Sequence, residues 1–95
     1  MPQQLDADMR NHLDGVLSAA HTMLESAWFI QHRQGNLPAH VLEGVEALQD
    51  DMIRLLALFE DGDLYGAVPP ATTYVMRGFE ADATEILEMH GKLAS

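Results

Sequence analysis

The chain has no cysteine. That absence excludes disulfide frameworks, cysteine-ligated zinc and thiol nucleophiles, and it fits a reducing, cytoplasmic setting. Positive charge is scarce. Five Lys plus Arg stand against fifteen Asp plus Glu, a net charge of −10, and such a field repels phosphate backbones and anionic lipid surfaces. Direct binding of nucleic acid or of a membrane is therefore not expected; a protein partner is, with a basic one favoured electrostatically. Long apolar runs are also missing. No stretch reaches the roughly 18 continuous apolar residues of a membrane span, and the start MPQQLDADMR has neither the basic nor the apolar segment of a secretory leader.

Catalytic motifs are missing too. There is no glycine-rich phosphate loop and no G-x-S-x-G turn. Ser18 and Ser26 fall inside a helical run and Ser95 is the last residue, so none sits where a base and an oxyanion hole could converge. A single domain of 95 residues, 47% of them hydrophobic, has just enough material for one core. A bundle this small rarely encloses a substrate pocket of roughly 300 to 1,000 Å³. An enzyme is not expected, nor is a cofactor.

What the chain does have is helical periodicity. Leu5, Met9, Leu13, Val16, Ala20, Met23, Leu24 and Ala27 recur at three- and four-residue steps, predicting a first helix over about 3–34. Gly35, after His32, Arg33 and Gln34, suits a left-handed C-terminal cap with basic residues in the last turn. Asn36 is a good N-cap for a second helix over about 37–60, with Pro38 tolerated in its first turn. Its stripe is Leu37, Val41, Leu42, Val45, Leu48, Met52, Leu55, Leu56 and Phe59. A very short connection forces the two helices antiparallel. The segment from Asp61 to Pro70, with two glycines and two prolines, breaks the periodicity as a loop. A third helix then begins at or just after Pro70 and runs to about Leu93. Val75, Met76, Phe79, Ala83, Ile86, Leu87, His90 and Leu93 mark its inner face. The expected fold is all-α: an antiparallel helical hairpin plus a third helix, a three-helix bundle that dimerisation could complete.

Length matters here. At about 1.5 Å per residue the first helix is about 45 Å long, whereas the second covers about 36 Å and runs out near Asn11. Leu5 and Met9 then lack a local partner. Fraying, coverage by Leu64, Tyr65 and Val68 of the loop, a second copy, or a different protein each answers that surplus.

Two side chains fall off their stripes. Phe29 points toward the face of Asn11, Ser18, Thr22 and Glu25, while its neighbour Trp28 lies at the margin of the apolar arc. Leu58 is displaced in the same way. Each is either core against the third helix or the centre of an interface. With Tyr65 of the loop they complete the set of candidate partner or dimer contacts: Leu5, Met9, Trp28, Phe29, Leu58 and Tyr65.

Polar groups offer weaker signals. His21 and Glu25 are one turn apart, with Asp14 and His32 on the same stripe, and His40 and Glu43 form another near pair. Without an H-E-x-x-H or E-x-x-H pattern these read as solvated charge pairs, and no metal site is expected. His90 falls on an apolar face, where a buried histidine held by one hydrogen bond is the ordinary reading. Glu43, Glu46 and Asp50 share one face of the second helix; with the other carboxylates they solvate the surface or, more sharply, imitate the phosphates of a nucleic acid. Gly15, Gly44 and Gly78 interrupt predicted helices and either permit close helix approach or leave a scaffold ordered on association.

The expected function is that of a small acidic, non-catalytic protein that binds another protein through an apolar helical face as a regulator or inhibitor, with a homodimer as the expected oligomer. An acidic nucleic-acid mimic and a helical metal or small-molecule binder are the alternatives.

Overall fold

The computed structural model describes residues 6–61 and 68–94. Three helices pack on one another in up-down-up order: α1 (Ala7–Gln34), α2 (Ala39–Leu56) continued by a π-helical turn (Ala57–Asp61), and α3 (Pro70–Ala94). The result is an all-α three-helix bundle, 49 × 22 × 19 Å. No helix among the described residues is long and apolar enough to cross a membrane.

The ends of α1 follow from local chemistry. Asp6 is extended, and its carboxylate accepts the Met9 N–H at 2.8 Å, so the helix starts at Ala7 rather than near Gln3. At the other end Gly35 adopts φ 75°, the left-handed conformation glycine takes without steric cost, and its N–H donates to the Gln31 carbonyl at 2.7 Å. His32 and Arg33 occupy the last turn as expected.

The start of α2 differs from the expectation. Asn36 does not cap it; its Oδ1 accepts only the adjacent Leu37 N–H, at 2.9 Å. Pro38 is the N-cap, and its carbonyl accepts from Val41 and Leu42. The reason lies in the proline, whose ring pushes the preceding residue out of the helical region, so no helix can include Leu37. Leu37 instead drops into the core, 5% exposed.

At its far end α2 widens into a π turn where the Ala57 N–H is shared between Ile53 and Arg54 carbonyls. Pro70 opens α3 at the one position where its missing N–H is harmless.

The core follows a seven-residue rule on all three helices. Leu13, Ala20 and Ala27 on α1, Val45, Met52 and Phe59 on the second arm, and Met76 and Ala83 on α3 recur at this step, and all are buried. A second series, Leu17, Leu24 and Gln31, then Val41, Leu48 and Leu55, then Phe79 and Ile86, lies beside the first and is buried or half-buried. A period of about 3.5 residues is that of left-handed bundles, in which side chains of each helix fill gaps of its neighbours.

Two clusters result. Leu13, Met52, Phe59 and Met76 form one, against which Val68 packs; Leu24, Ala27, Leu37, Val45, Ala83 and Ile86 form the other. Leu48 and Phe79 touch both.

Polar links cross between helices. Gln49 Nε2 donates to Thr84 Oγ1 at 2.6 Å, and that hydroxyl donates to the Glu80 carbonyl at 2.9 Å. Arg77 of α3 grips Glu60 of the π turn with two nitrogens, Nε to Oε1 at 2.8 Å and Nη2 to Oε2. That hydrogen-bonded guanidinium holds the Glu60 carboxyl below its ordinary range.

The surplus length of α1 lies at its start. Every residue from Asp6 to His12 is exposed, and Leu13 is the first buried one. Val68 covers part of the Leu13 cluster; Leu5, Leu64 and Tyr65 lie outside the described residues.

Candidate functional site

The outer flank of α1 next to α3 carries an unusual group of side chains. Trp28 and Phe29 are 52% and 57% exposed, although aromatic side chains usually contribute most when buried. Trp28 stacks beside His32 with ring centres 3.9 Å apart, and the Arg33 guanidinium lies 5.4 Å above the centre of the Phe29 ring. Two turns before Trp28, His21 Nε2 is 3.3 Å from Glu25 Oε1, and its ring is 6.2 Å from that of Phe79 on α3.

Of these, His21, Glu25, Trp28, Phe29 and Phe79 line a cleft of about 870 Å³ between α1 and α3. Leu24 and Ile86, both nearly fully buried, form its bottom together with half-buried Phe79. Trp28, Phe29, Ser26 and Ile30 line it from α1, and Glu25, Asp82 and Glu85 rim it. No Lys or Arg contributes to this lining among the described residues. The volume of the cleft falls within the size range of ligand pockets, but it is an open groove on the flank of the bundle rather than an enclosed pocket. It arises because a third helix can cover only one flank of each partner, which leaves the opposite α1/α3 groove open to solvent.

The structure separates the residues singled out from the sequence. Trp28 and Phe29 meet at the cleft. Met9, 50% exposed, and Leu58, 46% exposed, belong to the opposite end of the bundle. Phe29 and Leu58 both lie off the heptad stripe along which α3 packs, and each is exposed on about half of its surface. Leu5 and Tyr65 lie outside the described residues.

Val75, expected on the inner face of α3, is 41% exposed. The seven-residue step explains this, since Met76 takes the inward position and Val75 falls one place to its side.

Histidines and carboxylates do not converge further. No group of three or more His, Asp or Glu side chains among the described residues is placed to hold a metal ion. His40 and Glu43 are exposed, and Glu25 remains largely solvated at 71% side-chain exposure. His90 is half-buried, and its Nδ1 is buried without a hydrogen-bond partner among the described residues, so the single satisfying bond expected for it is not made there.

Two features escaped the sequence reading. Gln31 is the one buried polar residue among the described residues, 2% exposed; its Nε2 donates to the Ile86 carbonyl at 3.2 Å, while its Oε1 has no partner among them. Its position seven residues after Leu24 was the available signal. Tyr74, 78% exposed, was the other omission.

Comparison of the chain with protein-family models, with curated proteins and with solved structures finds no match.

Proposed function

We propose that the chain is a non-catalytic protein that binds another protein through the α1/α3 face and acts as a regulator or inhibitor of it, in the cytoplasm. The observation that carries this reading is the exposure of Trp28 and Phe29 side by side at the mouth of an apolar cleft. Exposed aromatic anchors beside a partly formed apolar pocket are the usual energetic centre of protein interfaces. The polar groups of the cleft support binding rather than chemistry. Glu25, Asp82 and Glu85 are exposed at the rim, where water screens them, and no nucleophile is paired with a base among the described lining residues.

The test is capture of partners from an extract of the source cells by the wild-type chain and by Phe29→Asp. Phe29 touches solvent on more than half its surface, so the substitution should leave the helical circular dichroism intact and deplete the captured partner at least several-fold. Equal capture by both proteins would place the interface elsewhere. Loss of helix in Phe29→Asp would show that Phe29 holds the fold together.

A further inference from the structure

We infer that the occupant of the α1/α3 cleft is a positively charged amphipathic helix, seated as a fourth helix of the bundle. This rests on the protein-binding reading above and narrows it to one partner chemistry.

Shape comes first. Helices α1 and α3 are the first and third elements of an up-down-up bundle and run side by side in the same direction. The groove between two such helices is the place a further helix takes in four-helix bundles. Along α1 the lining runs from His21 to Ile30, about 14 Å at about 1.5 Å per residue, which matches two to three turns of an occupant. The apolar bottom formed by Leu24, Phe79 and Ile86 requires an apolar stripe at helical spacing on that occupant.

Charge then selects among helices. The rim presents Glu25, Asp82 and Glu85 with no Lys or Arg among the described lining residues, and the whole chain carries −10. Lys and Arg on the two flanks of the occupant's apolar stripe would meet these carboxylates. A second copy of this chain docked through the same cleft would oppose like charges directly, which disfavours it as the occupant.

The aromatic wall adds apolar area rather than charge selection: the Phe29 ring already carries the Arg33 guanidinium at 5.4 Å, and Trp28 packs beside His32 with ring centres 3.9 Å apart.

Trp28 is the only tryptophan of the chain, so its fluorescence reads the cleft directly. The probes are three synthetic amphipathic peptides of about four turns, lacking Trp and Tyr, with one shared Leu stripe and with Lys, Gln or Glu at every flanking position. The Lys peptide should bind on the order of tenfold tighter than the Gln peptide, the advantage that three solvent-exposed charge pairs supply together, and the Glu peptide should bind weakest. The advantage of Lys should disappear at high salt. It should also disappear in the variant Glu25→Gln/Asp82→Asn/Glu85→Gln, whose three changes fall on exposed side chains and should leave the circular dichroism unchanged.

Equal affinity for the Lys and Gln peptides overturns the charge selection while leaving the apolar docking site in place. A Lys advantage that survives the triple neutralisation assigns the attraction to the net charge of the chain and overturns the assignment to this cleft. No fluorescence response to any peptide overturns both the fourth-helix inference and the reading of the cleft as a docking site.

Discussion

Replacing Gln31 by leucine should make the protein more stable. Gln31 is buried, with one hydrogen bond from Nε2 to the Ile86 carbonyl and no partner for Oε1 among the described residues. Losing the Nε2 bond costs about 0.5–1.5 kcal/mol, and it strands nothing, because the Ile86 carbonyl lies inside α3 and keeps its helical donor. Removing the unpaired Oε1 recovers about 1–3 kcal/mol of desolvation. Leucine has a similar volume and adds apolar burial of about 1 kcal/mol or more beside Leu24, Ala83 and Ile86. The net expectation is a gain of about 2 kcal/mol, which in a domain of this size raises Tm by about 8–16 °C. Urea titration followed by far-UV circular dichroism should show a higher midpoint at unchanged slope. A loss of 1 kcal/mol or more would refute the reasoning, since it would mean that Oε1 is satisfied, by a buried water for example, and that the amide contributes net stability. A gain accompanied by broadened side-chain resonances would support a different benefit of Gln31: a polar group at a heptad core position fixes helix register at the expense of stability.

Three other substitutions test separate parts of the structure. A Cβ at Gly15 or Gly78 would meet nothing within 4 Å, so Gly15→Ala and Gly78→Ala should each stabilise by about 0.8–1 kcal/mol in thermal melts. At Gly44 the Cβ would come within 2.9 Å of Met23 Cε, so Gly44→Ala should gain less because Met23 must move. Glu60→Gln removes the carboxylate that Arg77 holds below its ordinary pKa. The contribution of that pair is complete above the unfolded carboxylate range near 4.5 and is lost as pH falls through the lower folded value, so the stabilities of wild type and Glu60→Gln, measured by urea titration across this range, should converge in acid. Leu58→Asp, at a side chain 46% exposed, should shift Tm by less than that of about 1 kcal/mol; sedimentation equilibrium of wild type and variant then reads whether this end of the bundle joins two copies.

The helices were legible in the sequence because their apolar stripes, the Gly35 cap and Pro70 each act locally. Asn36 was misread because two local rules conflict there. A good capping side chain was outranked by the steric demand of a proline two residues later, and the helix start moved to Ala39. The π turn had no visible signal, since Leu55, Leu56 and Phe59 suit an ordinary helical stripe equally well. Gln31 was hidden by its chemistry: the seven-residue step places it in the core, but a polar identity conceals that from a count of apolar residues. The cleft could not be read at all. Whether Trp28 and Phe29 are covered depends on which flank of α1 receives α3, and that is settled by packing of all three stripes together rather than by any one helix. The close-approach reading of the glycines, for the same reason, holds at Gly44 and fails at Gly15 and Gly78.

The energetics of the cleft set the kind of binding it supports. Leu24 and Ile86 are already almost fully buried, so they have little more surface to lose. The available gain lies in Trp28 and Phe29, 52% and 57% exposed. Aromatic side chains bury roughly 150–250 Å² each, so covering the exposed half of both removes about 200 Å² from water, worth about 5 kcal/mol at about 25 cal/mol per Å². Association costs an estimated 4–15 kcal/mol in lost translational and rotational freedom alone. The aromatic pair therefore cannot by itself hold a partner tightly. Either a larger surface joins in, which extends contact toward the exposed start of α1, or the complex is transient and the acidic rim governs how often it forms. The second case makes a kinetic demand. Neutralising Glu25, Asp82 and Glu85 should slow association far more than it speeds dissociation, because rim charges act chiefly on the approach of the partner. A stopped-flow record of Trp28 fluorescence with the Lys-flanked peptide separates the two rates, and a change confined to dissociation would refute steering by the rim.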